Sequence, residues 1–179
     1  ASVSYEKYLK LVEEVASLNS ESWTNQHLLA DAYETLGILK ENLGQFDIAR
    51  DYYQRCRSIL EKRLKDSPVD SSSESDLAFV LSLIGSLDDD QNPEKAVETY
   101  SLSVKLLKSL VVRFPSVISY QANLAASLKG AGIARLNLQQ KTEAKILFEE
   151  ALSTQQQLHD NHPDQGDAEA GIGDILEKL

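Results

Sequence analysis

A small residue followed four positions on by an aromatic ring returns four times along this chain. The pairs are Ala1 with Tyr5, Ala49 with Tyr53, Ala96 with Tyr100 and Ala144 with Phe148, spaced 48, 47 and 48 residues apart. Other features keep the same phase. Tyr8, Cys56, Ser103 and Ala151 follow three positions after the ring. A breaker comes next at Ser20, Pro68, Pro115 and Pro163. A Leu-Ala pair stands at Leu29-Ala30, Leu77-Ala78 and Leu124-Ala125, with Ile172-Gly173 in the same phase, and a glycine stands at Gly37, Gly85 and Gly132. A period in this range marks a stack of supersecondary units, each too small to bury its apolar face alone.

The spacing inside each unit is helical. Residues at i, i+4 and i+7 share one face of a helix, which places the alanine, the ring and the small residue together. Tyr33, Leu36, Gly37 and Lys40 form a second such face, with the Lys40 stem able to cover apolar surface. A mid-helix glycine costs about 1 kcal/mol relative to alanine. Its return in phase therefore implies close approach of a neighbouring helix rather than ligand binding. The pattern predicts eight helices, over 2–18, 22–43, 46–65, 73–89, 93–113, 117–138, 141–160 and 166–179. Asn92-Pro93 has the chemistry of a helix start, and Ser71-Ser72-Ser73 is a polar link with capping potential. Asp66-Ser67-Pro68 and Asn161-His162-Pro163 have that of a stop.

Composition narrows the function. A net charge of −10 disfavours phosphate backbones and anionic membranes. The basic run Arg55, Arg57, Lys62, Arg63 and Lys65 is interleaved with Glu61 and reads as a solvated helix face. The single cysteine excludes an internal disulfide. Neither a membrane-length apolar run nor a signal peptide is apparent.

Tyr33, Leu36, Gly37, Gly44, Ala49, Tyr53 and Cys56 resemble the tetratricopeptide repeat (TPR) signature, in which an aromatic, Leu-Gly, a turn, Ala, a second aromatic and a small residue recur. The usual TPR period is 34 residues. Here the extra residues fall between the second helix of one unit and the first of the next, consistent with both helices being longer by about two turns. Ser103 and Ala131 depart from the signature. The stretch from Phe114-Pro115 through Tyr120, Leu124-Ala125-Ala126-Ser127 and Gly132 is similar to long-period TPRs found beside bacterial serine/threonine kinase domains.

The resemblance implies an all-α fold, a right-handed α-solenoid of antiparallel helix pairs. It covers residues 1–179 as a single repeat domain with phases starting near 1, 49, 96 and 144. The chain lacks methionine and opens at the alanine of a second helix, so it is expected to be a fragment of a longer array. A small residue is expected to follow Leu179.

The chemistry-bearing side chains do not assemble into a recognisable site. His159 and His162 near Asp160 and Asp164 offer too few ligands for zinc. Asp88-Asp89-Asp90 through Glu94 lacks the glycine and the terminal Glu of a calcium loop. Cys56 sits at a packing position, His27 has no identifiable nucleophile partner, and Trp23 reads as an anchor at a helix start. No phosphate loop or nucleophile elbow is present. The expectation is a non-enzyme with no cofactor and no metal.

TPRs resembling this one line a concave groove with the first helix of each pair. Carried over, the lining is Asp31, Glu34, Ile38, Glu41 and Asn42 in one repeat and Phe79, Ser82, Ser86, Asp89 and Asp90 in the next. The third repeat supplies Ala126, Lys129, Ile133, Leu136 and Asn137. A clamp for a terminal carboxylate would need several basic residues here, and only Lys129 is present. The expected partner is a protein or peptide segment with basic and apolar residues, not nucleic acid and not membrane. The expected role is a cytoplasmic interaction scaffold, for example the regulatory or docking region of a signalling kinase. Two alternatives are a peptide or metabolite sensor, and self-association through the repeat ends.

Overall fold

A computed structural model describes residues 2–89 and 91–161. Seven helices follow one another: α1 (Ser2–Leu18), α2 (Trp23–Asn42), α3 (Phe46–Asp66), α4 (Ser71–Asp88), α5 (Pro93–Arg113), α6 (Ile118–Asn137) and α7 (Lys141–Asn161). The described residues contain no strand. Their bounds follow the predicted ones to within a residue or two. The predicted helix over 166–179 lies outside the described residues, as do Ala1 and Asp90.

The protein is an all-α helical repeat in which successive helices pair. It divides into two compact units, Ala1–Val80 and Leu81–Leu179, with the division falling inside α4. In the first unit α1 packs on α2 and α2 on α3; in the second α5 packs on α6 and α6 on α7.

The predicted apolar faces are the buried ones. Helix α3 buries Ala49, Tyr53, Cys56 and Leu60, and α7 buries Ala144, Phe148, Ala151, Gln155 and Leu158. Each is a single stripe. Helix α6 instead buries Leu124, Ala125, Ser127, Leu128, Gly130, Ala131, Gly132 and Ala134, which is more than one face, because it has neighbours on several sides. The glycines permit this crowding. A Cβ on Gly85 would stand 2.9 Å from the Tyr100 ring, and one on Gly132 2.5 Å from the Phe148 ring. Gly37 meets Tyr53 in the same way. Gly130, which the repeat pattern does not single out, presses on the opposite side of the second unit's ring, so Tyr100 is held between α4 and α6.

The turns show the chemistry that ends each helix. Gly44 adopts φ +72°. Its N–H donates to the Glu41 carbonyl at 2.8 Å, and the Gln45 N–H donates to the Lys40 carbonyl at 2.9 Å, a Schellman ending. The Asn92 side chain caps α5 by accepting from the Lys95 N–H at 3.3 Å, with Pro93 following. Helix α4 starts at Ser71, earlier than predicted. The Asp70 carboxylate accepts the Ser73 N–H at 3.2 Å, so the three serines form the first turn rather than a link.

Candidate functional site

The helices that open each pair, α2, α4 and α6, are linked to one another by side chains inside each unit. In the first unit His27 of α2 reaches Asp76 of α4 at 3.4 Å. In the second, Ser82 of α4 and Ser127 of α6 share a hydrogen bond of 2.7 Å, and the Asn137 Nδ2 donates to the Asp89 carbonyl at 2.8 Å. These links bring neighbouring opening helices side by side, so each unit presents a surface to which both contribute.

On the first unit that surface is acidic. The His27 Nδ1 lies 3.2 Å from Asp31, one turn along the same helix. Its Nε2 lies on Asp76, so one imidazole stands between two carboxylates from two helices. Glu34 is half-buried one further turn along α2. Burial, then the charges of Asp76 and Asp31, push its carboxyl up to about 7, with His27 opposing the shift. Burial also raises Asp76, again against the pull of His27. Beneath them Cys56 is buried on α3. Burial, followed by the charges of Glu34, Asp31 and Asp76, raises its thiol, so the thiolate needed for nucleophilic chemistry is suppressed.

The second unit is different at the same repeat position. Ser82, the counterpart of Glu34, meets Ser103 at 3.0 Å and Ser127 at 2.7 Å, and Ser103 meets Ser127 at 3.0 Å. Three hydroxyls from three helices thus satisfy one another in a closed triangle. Ser103, which departs from the usual alanine, is explained by this contact.

The residues expected to line a groove fall into distinct environments. Asp31 is exposed and Glu34, Ile38 and Phe79 are half-buried on the first unit; Ser86 is exposed and Lys129, Ile133 and Leu136 are half-buried on the second. Asn42 is exposed with no role that the geometry assigns, and Ala126 is likewise exposed. Two further acids are hydrogen-bonded by the repeat's own rings. Glu41 accepts a 2.6 Å hydrogen bond from the Tyr53 hydroxyl, and Asp89 accepts one of 3.2 Å from the Tyr100 hydroxyl. Asp90 lies outside the described residues. Conversely, the groove pattern omits His27 and Asp76. A signal existed: each lies about one turn before a predicted lining residue, Asp31 and Phe79.

The remaining candidates find ordinary partners. Asp88 is buried and pairs with Lys95 at 3.2 Å. Arg55 pairs with Asp51 at 2.9 Å, Arg57 with Glu61 at 2.7 Å and Arg63 with Asp70 at 2.8 Å, so the three arginines of the basic run are engaged in ion pairs. Burial works against Asp70, but hydrogen bonds from Arg63 and Ser73 hold its carboxyl below the usual range. Trp23 opens α2, with Arg63 stacked on its ring at 4.8 Å and His27 edge-on at 5.2 Å. Ser58, Ile59 and Lys62 join Trp23 around a cavity of about 210 Å³. Among the described residues no three His, Cys, Asp or Glu side chains converge to hold a metal. His162 and Asp164 lie outside them. No helix there is long and apolar enough to cross a membrane.

Helix pairs in phase and glycines seated on rings define a helical-repeat protein. Residues 29–70 match the family model for the tetratricopeptide repeat. That segment holds the Leu29-Ala30 pair, Gly37, Gly44 and the Ala49–Tyr53–Cys56 face, and with the all-helical repeat around it the match supports a TPR protein. No curated protein matches the chain.

Proposed function

We propose that this chain is a non-catalytic interaction scaffold that binds a peptide segment bearing basic and apolar side chains. The observation that carries the reading is the gathering of Asp31, Glu34 and Asp76 from α2 and α4 on one surface of the first unit. A lysine or arginine head suits those carboxylates, and the half-buried Ile38 and Phe79 offer apolar contact beside them. The net charge of −10 steers cationic segments toward the protein. The role of such a scaffold fits the docking or regulatory part of a larger signalling protein, and the 47–48 residue period is the feature shared with kinase-linked arrays.

A peptide array carrying basic, acidic and apolar segments tests this. Basic–apolar peptides are expected to be retained, to weaken as salt is raised, and to be lost in the Asp31→Lys, Glu34→Lys double variant. Retention that ignores both the charge reversal and the salt sinks the reading. Glu41 and Asp89 are unsuitable for such a test, because their partners are the repeat's own tyrosines.

A further inference from the structure

The His27 imidazole lies between α2 and α4 of the first unit. A neutral imidazole has one N–H donor and one lone pair; only the protonated ring donates from both nitrogens. Here both nitrogens face carboxylates, Asp31 at 3.2 Å on α2 and Asp76 at 3.4 Å on α4. The two contacts are therefore both attractive only for the imidazolium. On deprotonation one of them becomes a lone pair against a carboxylate.

We propose that His27 is a proton-operated clasp between α2 and α4, closed when the ring is charged and released when it is neutral. The surroundings on every packed helix favour such behaviour. Helix α2 supplies Asp31 and Glu34, and α4 supplies Asp76 with Asp70 beyond it. From α3 come Cys56 and Tyr53, both held in their neutral forms by burial first. The α3 cation Arg63 is engaged by Asp70 and by the Trp23 ring, so it does not substitute for the imidazolium. Glu13 of α1 accepts the Tyr33 hydroxyl at 3.0 Å. Histidine is the side chain whose charge ordinarily changes between about pH 5 and 8. Glu34, pushed up to about 7, adds a third negative charge to this surface when it loses its proton. On the interaction reading above, release would also free two carboxylates for an incoming cation, but the clasp itself needs no ligand.

The test uses nuclear magnetic resonance on the ligand-free chain, in a Glu34→Gln background that removes the neighbouring titration. Long-range proton–nitrogen spectra report the two His27 ring nitrogens, and amide spectra report α4 across residues 72–80. The expected result is a ring protonated on both nitrogens in acid, with the α4 amides shifting along the ring's own titration curve. Asp76→Asn in that background is expected to leave the ring titrating while uncoupling the α4 amides from it. Amides of α4 that ignore the ring in the parent, or follow it equally well in the Asp76→Asn variant, would overturn the proposal. Failure of the peptide array would leave this result untouched.

Discussion

The ring at the centre of each repeat carries its own control experiment. Tyr53 donates to Glu41 and Tyr100 to Asp89, while the third ring is Phe148 and the residue in phase with those acids is Leu136. Hydroxyl with acid, or neither, is the rule in all three copies. Removing one partner strands the other, whereas removing both is nearly neutral. Tyr53→Phe or Glu41→Leu alone is therefore predicted to cost about 1–2 kcal/mol, and the double variant less than the sum. Denaturant unfolding of the four proteins measures the coupling, and additive costs would show the bond to be idle. The ring was legible in the sequence because burial leaves a period. The carboxylate's partner was not, since a charged residue on a helix looks solvated until its neighbour is placed. Glu34 illustrates the same blindness, and its sign can be worked out. Burial pushes its carboxyl from an ordinary 4.5 up to about 7 in the folded protein, which therefore holds more protons in between. Stability then falls as pH rises from the lower value to the higher. Thermal melts across that window are predicted to drop less for Glu34→Gln than for the parent; equal slopes would remove Glu34 as the cause.

At the scale of elements, the turn between paired helices takes two forms across three copies. Gly44 takes φ +72°, Asn92 caps the following helix instead, and Gln139 takes φ +60°. The Gln139 turn repeats the hydrogen bonds at Gly44, with Gln139 N–H to the Leu136 carbonyl at 2.8 Å and Gln140 N–H to the Arg135 carbonyl at 2.9 Å. It is the same Schellman ending, built on a residue whose Cβ opposes it. Gln139→Gly is predicted to stabilise by up to about 1 kcal/mol, and Gly44→Ala to destabilise by about as much. Chemical denaturation midpoints decide both, and a Gln139→Gly protein no more stable than the parent would mean that the glutamine side chain offsets its backbone strain. Helix ends were legible where proline or a cap wrote them, as at Asn92-Pro93. The start of α4 was misplaced because three serines and Asp70 all have capping chemistry, and only geometry shows which one faces the Ser73 N–H.

For the whole molecule, the repeat makes stability a sum of local terms rather than one core. Tyr53→Ala is predicted to cost about 3–5 kcal/mol. Its effect on hydrogen exchange should be strongest in α2 and α3, and weaker in α6 and α7. Uniform acceleration across the chain would instead indicate a single cooperative unit. The architecture could be read early because six features in phase, each over three or four copies, leave little freedom. The shared surfaces could not, because the repeat says which positions are equivalent but not which neighbours their side chains find. Glu34, Ser82 and Lys129 occupy one position and live in unlike surroundings.

Tyr100, held between Gly85 and Gly130, acts as a spacer of fixed thickness between two backbones. Cutting it back to alanine would leave a slot the shape of a phenol, walled on both sides by residues with no side chain to collapse into it. Such a slot is the kind of cavity that a small aromatic refills. Free phenol would then restore thermal stability to Tyr100→Ala while leaving the parent unmoved, turning a structural ring into a replaceable part.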